Sequence, residues 1–412
     1  MSDESQPYIY ADNAATTPLS PAALQAMMPY LTTEFGNPGG IHRIAKAAAQ
    51  ALEVARAKMA EHLGANAHEL YFTSGGSESD NWVLHGAVER YRDRFGTTAP
   101  TCIITSVIEH HAILHACDAL ERDGVRIVLL PVDEMGHVRV DDLERALVDA
   151  REASHAAGID APGCALVSIM LANNEVGTIE DIPALAARAH THGVPMHTDA
   201  VQAVGHIPVD VDALGVDALS LSAHKFHGPR GVGALYLRES FSIPPFIEGG
   251  AQERGMRAGT ENVAGAIGME AALAEALDGL DDRRTRVAQL RDRLVQHVLD
   301  TCPDVRYTGD PDSGWRLPSI ASFAIRDVDG ELLVVLLDRA GVAAATGSAC
   351  STGSTDPSHV AVALGIDDPA WARGTLRLSL ADDVCDADID ALCERVPRCI
   401  KRARLMSGSC AV

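Results

Sequence analysis

Between about residues 65 and 240 the chain alternates short β-branched or apolar runs with helical patterns, and no other feature restricts its fold as much. The runs ELYFT, TCIITS, VRIVLLPV, CALVSIML, VPMHTDAV, ALSLSA and GVGALYLR are separated by stretches with helical spacing. These include Glu78 to about Tyr91, HAILHACDALERDG, DDLERALVDAREA and IPALAARAHTHG. Parallel strands need long crossovers, and strands covered on both faces read as near-continuous apolar runs. The predicted fold is therefore α/β, a mainly parallel sheet with helices on both faces, and ligands are expected in the loops at the carboxyl ends of its strands. A helical stretch from about Asn262 to Leu299 reads as a connector. Beyond it, SIASFAIRDV, ELLVVLLDRAG, TLRLSL and DADIDALCERVPRCIKRAR fit a smaller α+β domain, as a length of 412 residues allows.

Composition removes several functions. A formal net charge of −23 disfavours nucleic acid and anionic membrane as partners. No apolar run approaches the ~20 residues needed to span a bilayer. The opening MSDESQPYIY has neither a basic start nor an apolar core, so no signal peptide is expected and the location is predicted to be cytoplasmic. Nine cysteines, an odd number without a CxxC pair, suit neither a disulfide framework nor a zinc site. Cys102, Cys117 and Cys164, inside apolar segments, read as small buried hydrophobes.

The basic residues are more telling: only four of the 34 are lysines, at positions 46, 58, 225 and 401. Lys46 and Lys58 lie in the periodic helix IHRIAKAAAQALEVARAKMAEHLG, where a solvated face accounts for them. Lys401 belongs to RCIKRAR near a helix C-terminus, where positive charge is favoured. Lys225 follows an apolar strand in SLSAHKFHGPRGVG, between His224 and Phe226 and before a Gly/Pro turn. Partial desolvation there would lower an amine pKa and make it a nucleophile toward an aldehyde.

Pyridoxal phosphate (PLP) is an aldehyde that becomes an electron sink when its ring nitrogen stays protonated beside a buried carboxylate. Asp199, at the end of the strand before Lys225, suits that task, although a lone Asp there would read as a turn cap. The phosphate needs backbone donors at a helix start, which the turn Gly75, Gly76 and Ser77 supplies between a strand and a helix. This turn lacks GK[ST] and is not a P-loop.

In order along the chain, TSGGSESDN, EHHAI, NNEVG, HTDAVQAVG, SLSAHKFHGPRGVG, ERGMRAGTENV, TGSACSTGSTDPSHV and TLRLSL resemble the successive motifs of the NifS/IscS-type cysteine desulfurases, PLP enzymes of the class V aminotransferase family. The resemblance implies PLP fold type I with a seven-stranded-type sheet. A large domain over 15–262 and a small domain from 1–14 and 263–412 are expected, with a cysteine-bearing loop at about 343–358. An obligate homodimer is implied as well. It further implies that Lys225 carries PLP and that His110 stacks on its ring and moves protons. Asp199 would hold the ring nitrogen and Gln202 the ring hydroxyl. Gly76, Ser77, Ser222 and His224 would bind phosphate, with Thr260 arriving from the partner subunit. Asn174 and Arg377 would receive the substrate carboxylate, for which a planar guanidinium is well shaped.

Cys350 stands in ATGSACSTGSTDPSH, without large apolar neighbours, as expected for an exposed loop from which a thiolate reaches outward. By the resemblance it attacks the sulfur of L-cysteine, becomes a persulfide and passes the sulfur to an acceptor, leaving L-alanine. The longer loop before DPSHV is similar to the NifS/IscS branch rather than the SufS-like one, so an iron–sulfur scaffold or a thiolation enzyme is the expected acceptor. Two departures stand out: Ser77 where Thr is usual, and Leu171 and Ala172 where a His is often found. A selenocysteine lyase or another PLP β-lyase would use the same Lys225 and Arg377, and a non-enzymatic sulfur-relay scaffold would not need Lys225, Asp199, His110 and Cys350 together. The histidine pairs His110–His111 and His224–His227 have spacings common by chance, and no metal is expected.

Overall fold

The computed structural model describes residues 8–347 and 357–407, and the expected α/β sheet lies at its centre. The sheet has seven strands in the order Leu70–Thr73, Gly233–Leu237, Ala218–Ser222, Met196–Asp199, Cys164–Ser168, Cys102–Ser106 and Arg126–Leu130. Gly233–Leu237 runs antiparallel to both its neighbours, and the other pairings are parallel. Alternation of side chains divides each strand between two cores: Ile104 and Val167 belong to one, Ile103 and Leu166 to the other. The five interior strands are buried along their whole length, so that even their polar residues His197, Thr198 and Ser220 lie out of water. Each fully buried Leu or Ile contributes roughly 1.5–3 kcal/mol relative to exposure.

A separate core gathers around an antiparallel sheet of Thr375–Ser379, Ile320–Ile325 and Val305–Tyr307, packed by Leu280–Thr301, Gly330–Arg339 and Asp386–Met406. The stretch read as one connector is two helices, Val263–Leu277 and Leu280–Thr301, broken where Gly279 adopts a φ of 63°. Ala266, Met269 and Leu273 of the first helix join the large sheet's core, whereas Leu294 and Val298 of the second join the small one. The N-terminal strand Ile9–Tyr10 pairs in parallel with Val342–Ala343. From there residues 11–17 cross to the carboxyl ends of the large sheet's strands. Among the described residues no helix is long and apolar enough to cross a membrane.

Candidate active site

A cavity of about 300 Å³ opens at the carboxyl ends of the parallel strands. Its lining includes Gly76, Ser77, His110, Asn174, Asp199, Gln202, Ser222, His224, Lys225 and Arg377, ten of the twelve residues singled out in the sequence. The other two are elsewhere. Thr260 is exposed, on a segment that does not line the cavity, and Cys350 lies outside the described residues.

The strands explain the convergence. Asp199 ends Met196–Asp199 and pairs with Ser220 of the adjacent parallel strand, and Lys225 follows that strand's last residue by one short turn. Asp199 is 5% exposed, and Val201 N donates to its Oδ1 at 2.8 Å. Burial pushes its carboxyl up to about 6, opposed by that amide and by the charge of Lys225. Half-buried Lys225 donates from Nζ to the carbonyls of Ala14, at 2.6 Å, and Ala15, at 3.0 Å.

His110 caps the helix His111–Arg122, its Nδ1 accepting from Ala112 N at 3.1 Å, which leaves the ring proton on Nε2. Burial, with Lys225 nearby, lowers its pKa to about 4, so the ring is neutral at pH 7 and suited to stacking. His224 is lowered to about 4 for the same two reasons, in the same order. Its Nδ1 lies 3.1 Å from Thr16 Oγ1.

An anion fits at Gly75–Ser77. The helix Gly76–Phe95 begins with no side chain capping its amides, so the N–H groups of its first turn are open to a ligand. A Cβ at Gly76 would stand 2.6 Å from Val201 Cγ2, and one at Gly75 would lie 3.7 Å from Ser222 Oγ, so the turn is packed against Val201 and within reach of that hydroxyl. An open helix start, a buried carboxylate, a lysine and a neutral histidine around one cavity match the chemical groups of PLP: phosphate, ring nitrogen, aldehyde and ring face.

Arg377, on Thr375–Ser379 of the small sheet, donates from NH2 to Asp12 Oδ1 at 2.7 Å and from NH1 to the Asn174 carbonyl at 2.9 Å. Met170 and Ala172 form an apolar part of the wall, so of the two departures Ala172 falls on the cavity and Leu171 is not among its lining residues.

Two contributors escaped sequence reasoning. One is Asp80, a cavity residue 1% exposed, held well above the usual carboxylate range by burial and then by the charge of Asp199. Its place three residues after Ser77, on the same helix face, was a readable signal. The other is the segment 12–17, whose residues contact Arg377, Lys225, His224 and Gln202, the last donating to Ala14 O at 2.8 Å. It lies in no periodic element, and nothing in its sequence announced these contacts.

Residues 9–392 match the family model of class V aminotransferases. A cysteine desulfurase IscS of Methanosarcina thermophila is 43% identical, with 97% of this chain and 93% of that protein covered. One from Clostridium botulinum is 40% identical, with 97% and 96% covered. Among solved structures, a NifS-like protein superposes with a TM-score of 0.85 at 32% identity, covering 96% of this chain and all of the other. A NifS-like protein from Rickettsia africae gives 0.81 at 27% identity, with 96% and 99% covered.

Proposed function

Because the chain belongs to the class V aminotransferase family, we propose that it is a PLP-dependent cysteine desulfurase that converts L-cysteine to L-alanine and passes the sulfur, through Cys350, to an acceptor. The observation that carries this reading is the meeting of Asp199 and Lys225 in one cavity beside an open helix start. Lys225 would bind PLP, Asp199 would hold the ring nitrogen, Gln202 the ring hydroxyl, and His110 would cover the ring. Gly76, Ser77, Ser222 and His224 would hold the phosphate, joined by Thr260 from a second copy.

Bound there, the cofactor supplies a sink for the charge left when the substrate loses its α-proton. Lys225 Nζ takes that proton, and the carbonyls of Ala14 and Ala15, already 2.6 and 3.0 Å away, accept hydrogen bonds from the resulting ammonium. Ionised Asp199 favours a protonated ring nitrogen. Arg377 and Asn174 hold the substrate carboxylate. The Cys350 thiolate attacks the substrate sulfur, the carbon–sulfur bond breaks, and a Cys350 persulfide remains while protonation of the carbon gives L-alanine. An iron–sulfur scaffold or thiolation enzyme then takes the sulfur, in a cytoplasmic setting.

Exposed Leu24, Met28, Leu31 and Phe35, on and just after the helix Pro21–Thr32, support a homodimer as the working form. Two domains, with Cys350 carried by the smaller, complete the reading.

The test is to incubate the purified protein with L-cysteine and a reductant and quantify alanine and sulfide for wild type, Lys225→Ala and Cys350→Ala. Sulfide should vanish in both variants, and the yellow chromophore only in Lys225→Ala. A colourless wild-type protein that ignores added PLP ends the account.

A further inference from the structure

We propose that Asp12 is a positioning residue that sets how tightly Arg377 grips an amino-acid carboxylate, and thereby how readily an amino-acid product leaves. This rests on the reading above, in which Arg377 receives that carboxylate. The Arg377 side chain is 3% exposed, and two of its three nitrogens are occupied, NH2 by Asp12 Oδ1 and NH1 by the Asn174 carbonyl. Its Nε is buried without a hydrogen-bond partner among the described residues. Arg377 is among the residues lining the cavity, and its Nε is a buried donor left without an acceptor among the described residues. An arriving carboxylate thus meets a cation that is firmly oriented and already partly neutralised.

Asp12 is itself fixed by the elements that carry Arg377. Ala11 N donates to Ala343 O at 3.0 Å, and Asn13 N donates to Ser379 O at 3.3 Å, two residues along the strand from Arg377. The Asn13 side chain adds a second bond to the same carbonyl at 2.9 Å. The other acid near Arg377 is Glu175, whose carboxyl burial pushes up to about 7, so it is only partly ionised at neutral pH. Asp12 is therefore the principal counter-ion of Arg377.

Two consequences of opposite sign follow. Orientation by Asp12 strengthens carboxylate binding, because a planar fork binds well only when correctly aimed. Its negative charge weakens binding, because the ligand must share the cation with a like-charged neighbour. Weak ground-state binding suits an enzyme that must release an amino acid resembling its substrate.

Two substitutions separate these effects. Asp12→Asn keeps a side-chain oxygen for NH2 and removes the charge, whereas Asp12→Ala removes both. Calorimetric titration of the PLP-loaded protein with L-alanine should show affinity about fivefold tighter for Asp12→Asn and about tenfold weaker for Asp12→Ala. KM for L-cysteine should move in the same opposite directions, with kcat lowered in Asp12→Asn by slower product release. Cysteamine, which has the amine and thiol of cysteine without the carboxylate, should perturb the cofactor absorbance with an affinity unchanged within about twofold in both variants. Weaker L-alanine binding in both variants, with cysteamine unaffected, overturns the proposal and leaves the role of Arg377 standing. Equal changes for L-alanine and cysteamine overturn the role of Arg377 itself.

Discussion

Ser358 and Glu175 are joined by a hydrogen bond of 2.5 Å, hydroxyl to carboxyl oxygen, between the loop after Cys164–Ser168 and the start of the helix His359–Ala363. A Cβ added to Gly347 would stand 2.6 Å from that same Oε2 of Glu175. Glu175 therefore sits against residues on both sides of 348–356, the segment that contains Cys350. Ser358 also accepts from the amides of Val360 and Ala361, so one hydroxyl ties the carboxyl to a helix N-terminus.

This arrangement makes stability depend on pH through Glu175. Burial raises its carboxyl from the ordinary 4.5 to about 7, opposed by Ser358 and Arg377. The native state therefore holds a proton that the unfolded chain releases, and the stabilisation is full below 4.5 and lost as pH rises through about 7. Glu175→Gln, which cannot ionise, should flatten the fall in melting temperature between pH 5 and 8 and be the more stable protein at the upper end. The gain is roughly 3 kcal/mol at most. Thermal unfolding of both proteins across that range checks this, and parallel curves would refute it.

Gly233 leads to a second expectation, about cofactor retention. A Cβ there would meet Gly75 Cα and Leu221 O, each at 2.6 Å, and Gly75 C at 2.8 Å. All three are backbone atoms, so no side chain can swing aside. Gly233→Ala must push the Gly75 turn away from its sheet, at a cost of about 1–3 kcal/mol for overpacking. Because the displaced turn begins the open helix, PLP affinity should fall more than tenfold, a loss readable by fluorescence titration of the apoprotein. Unchanged affinity in a folded variant would separate the turn from phosphate binding.

Asp80 and Asp199 show how two buried acids in one cavity come to differ. Burial and then the charge of Asp199 hold Asp80 well above the usual carboxylate range, while Asp199 is raised to about 6 and is mostly ionised at neutral pH. An amide at position 80 keeps the hydrogen-bonding shape of the acid that is held further from ionising, whereas an amide at position 199 removes the anion that would partner the ring nitrogen. Asp199→Asn should therefore lower kcat by roughly 10²-fold or more, and Asp80→Asn by less than about tenfold. In the wild type, PLP affinity should weaken as pH falls through about 6, where Asp199 gains a proton, and Asp199→Asn should lack that limb. Fluorescence titration of PLP against pH reads both.

These residues also mark what the sequence made legible. Lys225 stood out because three other lysines had ordinary surroundings, and Asp199 because it ended the apolar strand before it. Both inferences used local pattern alone. Strand order is set by pairing between distant segments, so the place of Gly233–Leu237 as an antiparallel strand between Leu70–Thr73 and Ala218–Ser222 had no local signal. The break at Gly279 did have one, an Asp-Gly pair inside the helical stretch. The segment 12–17 acts through backbone carbonyls at Ala14 and Ala15, which any residue type would supply, so its contacts with Lys225 were invisible. Thr260 was named from resemblance, and in a single chain it faces solvent.

How Thr260 is presented follows from a strained stretch just before it. Glu253 and Arg254, neither a glycine, adopt φ of 45° and 59°, in the left-handed region. Such backbone persists only where surrounding contacts over-determine it, at about 1–3 kcal/mol per residue. The contacts here are strong: Arg56 donates to both Glu253 oxygens, at 2.6 and 2.8 Å, and Phe72 N donates to Oε2 at 3.0 Å, all out of water. A few residues on, Arg257 forms two bonds with Glu78, at 2.8 and 3.1 Å, beside Ser77 of the phosphate turn. Glu253→Ala leaves the buried Arg56 without its main partner, a loss of roughly 3–5 kcal/mol, and releases the strained backbone. Arg56→Met with Glu253→Leu removes both charges together and should recover most of the stability in urea unfolding. It should not recover the order of the segment, so the double variant stays deficient in PLP affinity if Thr260 serves a neighbouring subunit. Full recovery of PLP affinity alongside stability would show that this clamp maintains the fold and nothing more.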